Sequence, residues 1–349
     1  MSSRSVSNAE IARLLSDLAR AERDHRRRAL ERASRAAMFW PEEAWALAQA
    51  GRPLTELPSV GPWVAERISV VFEDPPADDD PGELRRGFLT IAEARRILAE
   101  HPGWTDALRG DLQMHTTHSD GALPVDGMVE AAEAYGYGYV AITDHSKSLS
   151  VAKGMDEVEL AEEAEEIDAL NASGAPVRLL KGIEMDVFED GSGDTDPSAL
   201  RRLDVVLGAF HTKLRAREDR TDRYLAALRN PGVHILAHPT TRKYARRPPL
   251  VADWPRVFAE AERLDKALEI DASPDRQDLG VELLRVARDF DVRLSIGTDA
   301  HHPVELGFVD VGLAAAADAG IARERIVNFR TADELLAWTA SLRERVPYA

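Results

Sequence analysis

Histidine and carboxylate side chains recur in this chain at the ends of short apolar runs, a placement that could hold metal ions. The runs close at Gln113-Met114-His115, Asp144-His145, Glu184, His211, His238, Asp271 and Asp299-Ala300-His301. Imidazole nitrogen and carboxylate oxygen together suit Zn²⁺, Mn²⁺ or Fe²⁺. The chain has no cysteine, so thiolate ligands and disulfides are both excluded. A lone histidine after a strand is more often a cap or a core residue. Repetition at run after run reverses that expectation and points to a polynuclear metal site.

Ligands scattered over nearly 190 residues meet only if a repeated element gathers them. The lead-ins are strand-like: Tyr139-Val140-Ala141-Ile142, Leu179-Leu180, Val205-Val206-Leu207, His234-Ile235-Leu236, Leu268-Glu269-Ile270 and Leu294-Ser295-Ile296. Successive ends lie 27 to 39 residues apart, the length of a strand, a helix and two loops. A (βα) barrel collects the C-terminal ends of its strands on one face, where residues read as catalytic. Helices are expected near 126–135, 156–172, 219–229, 254–264, 278–289 and 322–342.

The chain's 349 residues, 44% hydrophobic and 30% charged, suit one barrel of about 240 residues plus a smaller module. It has no apolar run long enough to span a membrane and no signal-peptide core near its start, so cytoplasmic residence is expected. The net charge of −17 is uneven, because residues 1–70 hold 11 Arg, no Lys and 9 Asp or Glu. A basic footprint over the whole surface is therefore absent, and bound cations would cancel part of the negative charge.

Residues 8–38 read as two amphipathic helices, with an N-cap at Ser7-Asn8 and Ile11, Leu14, Leu15 and Leu18 at helical spacing. The cluster Arg26-Arg27-Arg28, between Asp24 and Glu31, reads as a solvated, partly paired face. A further helix is expected over 41–50, then a tight turn at 57–65 opening another. The acidic, proline-rich stretch 73–83 is the linker candidate, and a short helix over 90–101 leads into the first strand at 110–115. This divides the chain into a helical module (1–72), a linker with a short helix (73–109) and a barrel (110–349).

The local patterns resemble the PHP (polymerase and histidinol phosphatase) family. The stretch from Asp111 to Gly121 is similar to its first motif and Thr143-Asp144-His145 to its second. Gly182-Ile183-Glu184-Met185, Phe210-His211-Thr212, Ala237-His238-Pro239-Thr240 and Gly297-Thr298-Asp299-Ala300-His301 resemble the others. The resemblance covers 110–345. It implies an α/β fold, a distorted, TIM-like (βα)7 barrel, here preceded by a small all-α domain, with two or three divalent ions (Zn, Mn or Fe).

By position, the resemblance gives His115, Glu184 and Asp299 to one metal, and Glu184, His211 and His238 to a second. Asp120, His145 and His301 go to a third. A bridging Glu184 would keep two ions roughly 3.5–4 Å apart, as in two-metal hydrolases that activate water for in-line attack on phosphorus. The family's His-x-His is altered here, with Gln113 in the first slot as a neutral, weaker ligand, a feature shared with some polymerase-X members. Glu184, His211 and Asp299 are the expected catalytic centre. Lys213 and Arg242, on loops at the same face, are candidate phosphate-binding residues, since Arg grips phosphate with two bonds and Lys offers a point charge. Surface solubility is the bland alternative for both. Arg246-Arg247 and Lys147 are further cations nearby. His118 reads as a rim residue, His234 and His302 as structural, and Asp271 as a residue orienting a histidine.

Residues 8–72 resemble the helical DNA-binding domain that opens polymerase-X enzymes, with 57–65 in place of its helix-hairpin-helix motif. That motif presents backbone amides at a helix N-terminus to a DNA phosphate. Here Ser59 replaces its first Gly, and Pro62-Trp63 replaces the Lys, removing an amide hydrogen and a charge. A hairpin kept for packing and a DNA clamp both remain open. Phe72 and Asp111 are too close for a nucleotidyltransferase domain between them. The resemblance thus implies a metal-dependent phosphoesterase at nucleic-acid ends, as 3′–5′ exonuclease, 3′-phosphatase or abasic-site nuclease in DNA repair. DNA would be held by residues 1–72 and the barrel mouth. The alternatives are a histidinol-phosphatase-type phosphomonoesterase and an inactive DNA-binding scaffold.

Overall fold

The computed structural model describes residues 4–75 and 80–345; positions 76–79 of the expected linker lie outside them. Eight strands follow one another as β1 (Gly110–Asp111), β2 (Tyr139–Ile142), β3 (Arg178–Lys181), β4 (Glu184–Asp186), β5 (Leu207–Ala209), β6 (Ile235–Leu236), β7 (Ala267–Asp271) and β8 (Arg293–Gly297). Every pairing between them is parallel, and strand order follows chain order in two sheets, β1-β2-β3 and β4-β5-β6-β7-β8. Only Gly182 and Ile183 separate β3 from β4, so one extended stretch passes from the first sheet to the second. The sheets touch again through parallel bridges from His145 to Glu184 and from Met114 to Ala300.

The strands are apolar on both sides because both sides are covered, as parallel sheets require. Side chains alternate with period two. Val140, Ile142, Leu179, Leu236, Leu268, Ile270, Leu294 and Ile296 join the large cluster beneath the surrounding helices. Tyr139, Ala141, Leu180, Leu207, Ala209, Ile235 and Ala267 instead form an inner cluster with Trp338 and Leu342 of the helix Ala332–Arg345. One end of the inner space is thus filled with apolar side chains. The polar residues of the candidate site cluster at the C-terminal strand ends and, for Glu184, at the break between β3 and β4.

Helices between strands occur at Val125–Ala134, Glu157–Ala172, Thr221–Arg229, Trp254–Leu264 and Val281–Ala287, close to the expected positions. The helix Val309–Asp318 has no counterpart among the expectations. Val309, Val311 and every residue from Gly312 to Ala317 are buried in it, so it carries no polar stripe from which a helical period could be read.

The N-terminal segment forms Asn8–Ala21, Asp24–Ala37, Ala44–Gln49 and Pro62–Glu73 around their own apolar cluster. Ser7 caps the first helix in a capping box with Glu10. Asn8 ties the first helix to the start of the third, donating to Glu42 O at 2.9 Å and accepting from Ala44 N at 2.9 Å. In the 57–65 turn Ser59 takes φ +65°, a conformation natural to glycine, and Pro62 opens the following helix.

In the stretch 73–109, expected as a linker with a short helix over 90–101, the described residues from Leu89 onward are packed. That stretch carries two helices, Ile91–Glu100 and Trp104–Ala107, and Leu89, Ile91, Ala94, Ile97 and Trp104 join the large cluster. Among the described residues no helix is long and apolar enough to cross a membrane.

Candidate metal centre

Glu184, the first residue of β4, is fully buried and meets four imidazoles. Its Oε1 lies 2.8 Å from His238 Nε2 and 3.2 Å from His211 Nε2. Its Oε2 lies 3.3 Å from His145 Nδ1 and 3.4 Å from His115 Nε2. His115 Nε2 is also 3.1 Å from Asp299 Oδ1. At the outer side, Asp120 Oδ1 lies 3.2 Å from His301 Nε2 and 3.6 Å from His145 Nε2.

Three groups have ligand atoms within 4.8 Å of one another: His115, Glu184 and Asp299; His145, Glu184 and His211; and His115, Asp120, His145 and His301. The first brings together the three residues expected to share one metal, and the third contains the expected Asp120, His145 and His301 with His115 added. In the second His145 stands with Glu184 and His211, while His238 lies against Glu184 outside the three groups. This donor set fits divalent cations, because a dehydrated carboxylate ringed by imidazoles is favourable only with positive charge among them.

Gln113 differs from the expectation. Its Nε2 donates to Glu184 Oε2 at 3.1 Å, while its Oε1 is buried without a partner. An acceptor-only carboxylate calls for a donor, so the amide nitrogen faces the centre and the ligand oxygen is turned away.

The ligands stand on loops fixed by buried acids. Asp144 accepts from Thr116 N at 2.8 Å, Thr116 Oγ1 at 2.6 Å and Ser119, pinning the loop that carries Asp120. Asp111 ties the first strand to the last, accepting from Thr298 Oγ1 at 2.5 Å and Gln113 N at 3.1 Å. Burial pushes the Asp111 carboxyl up to about 6 against those hydrogen bonds. Glu269 accepts from His238 N at 2.8 Å, and Asp186 Oδ1 lies 3.2 Å from His211 Nδ1. The Asp186 contact sets the orientation and tautomer of the His211 ring, whereas Glu269 anchors the backbone that carries His238. His238 and Asp299 sit at φ +27° and +52°, strained backbone held by these contacts.

Charge divides the histidines. Burial pulls His145 down to about 4, and Glu184 only partly offsets it. Burial also opposes protonation of His211, but Asp186 and Glu184 outweigh it and carry the group up to about 9. Burial alone would raise Glu184; His145 and His238 and the hydrogen bonds from His115 and His211 hold it well below the carboxylate range.

The expected phosphate-binding cations lie elsewhere. Lys213 is exposed and pairs with Glu189 at 2.7 Å. Arg242 is folded inward: its Nε donates to Arg276 O and Gln277 O at 3.0 Å, its Nη2 to Gly87 O at 2.9 Å, and it stacks 4.0 Å from the Phe88 ring. Lys147 pairs with Glu157 at 2.5 Å and His118 with Glu166 at 2.8 Å. His234 accepts from Val206 N, and His302 caps the turn Pro303–Phe308.

The residue missed by sequence reasoning is Arg276. It lines a cavity of about 350 Å³ with Asp120, His145, His211, Asp299 and His301. Its Nε lies 3.0 Å from Asp299 Oδ2 and 3.4 Å from Asp271 Oδ2, so Asp271 orients an arginine and not a histidine. The strand-end logic applied to Lys213 and Arg242 extends to Arg276, five positions after Asp271.

A family model described as the PHP domain matches residues 111–271. Over 232 residues the chain is 39% identical to the DNA polymerase/3′-5′ exonuclease PolX of Bacillus subtilis, covering 66% of this chain but 41% of that protein. It therefore spans less than half the length of that relative. It is 30% identical over 233 residues to a probable phosphatase of Syntrophotalea carbinolica, covering 62% of this chain and 90% of that one. Among solved structures, the histidinol phosphate phosphatase of Lactococcus lactis aligns with a TM-score of 0.45 and 15% identity, over 61% of this chain and 94% of that one.

Proposed function

This chain belongs to the PHP family of metal-dependent phosphoesterases, and on that premise we propose that it hydrolyses phosphate esters at nucleic-acid ends in the cytoplasm. The observation carrying the chemistry is Glu184, buried at the meeting point of His115, His145, His211 and His238 with Asp299 beyond. The substrate class is supported by the relative named as a polymerase and 3′-5′ exonuclease, 39% identical across the shared part. We read the two sheets as one distorted seven-stranded barrel, with 178–186 as a single broken strand. Residues 1–72 form a helical module, 73–109 connect it, and 110–349 form the hydrolase. DNA contacts through residues 1–72 and the mouth belong to the same reading.

Two or three divalent ions, Zn, Mn or Fe, suit the three ligand groups. When bound, they supply Lewis acidity and activate water near neutral pH. The protein's own work is positional. Glu184 holds the imidazoles in register, Asp186 orients the His211 ring, Glu269 anchors the backbone of His238, and Arg276 presents a fixed positive fork to phosphoryl oxygens. Asp271 and Asp299 hold that fork at the cavity wall.

A panel of 3′-recessed, 3′-phosphorylated and abasic DNA beside histidinol phosphate, with added Mn²⁺ or Zn²⁺, tests the reading. Turnover of a DNA substrate above the small ester is expected; turnover of histidinol phosphate alone overturns it. That second outcome is the small phosphomonoesterase reading, favoured by the probable phosphatase aligned over 90% of its length. His238→Ala should abolish hydrolysis of every ester while circular dichroism stays unchanged, and full activity in that variant would remove the site assignment.

A further inference from the structure

A second cavity, of about 550 Å³, adjoins the metal cavity, and Ser273, Asp275, Glu305 and Phe308 line both. It lies between the helix Asp24–Ala37 and the loops after β6, β7 and β8. The helical N-terminal segment therefore supplies one wall of a trough whose far end opens on the metal ligands.

Two kinds of side chain mark that trough. The first is aromatic and exposed. Phe39 is 43% exposed, although the chain buries most of its large apolar residues, and its ring centroid lies 5.6 Å from Phe308 at the shared wall. Tyr244 lines the same trough. Val151, 89% exposed, lines the metal cavity with Leu149. Apolar side chains left in water along the two adjoining cavities suit a flat apolar face.

The second kind is cationic. Arg35, Arg85 and Arg246 line the trough in a protein of net charge −17. Arg85 Nε is buried without a hydrogen-bond partner, and its guanidinium lies 6.0 Å from the Tyr244 ring. The acids on the same walls are engaged: Glu31 accepts from Arg27 at 2.8 Å, Glu305 accepts from His301 N and His302 N, and Asp275 accepts from Ser273 Oγ. Three carboxylates thus share these walls with three arginines, and the guanidiniums are the groups there that can donate to an incoming anion.

We propose that this trough is the track for a single strand of nucleic acid whose terminal phosphate reaches the metal centre, with a base stacked on the Phe39–Phe308 pair and the backbone phosphates along Arg85, Arg246 and Arg35. Exposed aromatic faces beside a cationic groove take unpaired bases without regard to sequence. The inference rests on the nucleic-acid reading above and adds where the strand lies. The helical segment acts here through the end of its second helix and not through the turn at 57–65.

The test uses the intact, metal-loaded protein with two probes. Anisotropy of a 5′-fluorescein-labelled, phosphorothioate-linked oligothymidine of ten residues reads binding, and p-nitrophenyl phosphate reads the metal centre. Phe39→Ala should weaken oligothymidine binding by about 5- to 150-fold, the range of one lost base stack, and Phe39→Trp should restore it. Turnover of p-nitrophenyl phosphate should stay within about twofold of the parent protein, because one stacking face does not touch the metal ligands. Arg246→Ala should lower the slope of log affinity against log salt by about one. Unchanged binding in Phe39→Ala, or equal loss with both probes, overturns the trough while the nucleic-acid reading stands. A parent protein that turns over p-nitrophenyl phosphate yet neither binds oligothymidine nor cleaves DNA ends overturns both.

Discussion

At the residue scale, what decides a role is whether a side chain's bonding capacity is already used. Arg242 and Arg276 both follow strand ends by a few positions, and sequence alone cannot rank them. Arg242 directs its guanidinium to four backbone carbonyls and an aromatic ring. Arg276 meets only carboxylates through Nε and keeps its fork at the cavity wall. Arg276→Ala should lower kcat for any phosphate ester by about 10²- to 10³-fold, the loss seen when one fixed donor to a developing negative charge is removed. Arg276→Lys should recover a part of this, since a point charge remains without the planar fork. Metal content by mass spectrometry should stay at the parent level in both. Parental turnover in Arg276→Ala would return this arginine to a purely structural partner of Asp299. Gln113 carries the same lesson: the sequence identified its slot, but which end of the amide faces the centre depends on the carboxylate opposite.

At the element scale, strands and their ends were legible because period and chemistry change together there. Tyr139–Ile142 reads as a strand from its apolar run and stops where Asp144-His145 begin. The helix Val309–Asp318 was invisible for the opposite reason: burial on nearly all sides leaves no contrast to read. Within the expected 73–109 connection, residues 84–89 are tied down by partners far along the chain, which no local pattern could show. Gln277 brackets Leu89, accepting from its N and donating to its O at 2.7 Å each. Ala245 N donates to Leu84 O at 2.8 Å, and the Phe88 ring lies edge-on to Tyr244 at 5.2 Å. Gly280 leaves room for the Arg242 clamp, since a Cβ there would lie 2.6 Å from its Nη1. Arg242→Met would remove the donors to the carbonyls of Gly87, Arg276 and Gln277 at a largely buried junction. A loss of about 2–4 kcal/mol in unfolding free energy is expected from urea titration, on the scale of unsatisfied buried groups. Proteolytic nicking near 80–90 should appear before global unfolding. A variant with the parent midpoint and cleavage pattern would show that the strap holds by other contacts.

At the scale of the whole molecule, the site is a concentration of acids and imidazoles inside an acidic protein, and metal binding and protonation compete for it. In the metal-free protein His211 is carried up to about 9, so it holds a proton at neutral pH against Asp186 and Glu184. The stabilisation this gives is fully present below the unfolded histidine value, near 6.5, and is lost as pH rises through about 9. A divalent ion takes the place of that proton, so loading at pH 7–8 should release protons, measurable as buffer-dependent binding heat in calorimetry. The metal-loaded protein keeps its counter-charge across the same window. Its stability therefore should not fall where that of the chelator-treated protein does. The gap in Tm between the two should widen from pH 6.5 to 9 and level off above, with up to about 3 kcal/mol coming from this one group. At fixed free metal, binding adds to stability by mass action, and that addition grows as the competing proton leaves. A gap that stayed constant over this range, or narrowed, would mean that the imidazoles facing Glu184 are neutral before any metal arrives. His145, already held near 4 by burial, would then describe the whole set better than His211 does.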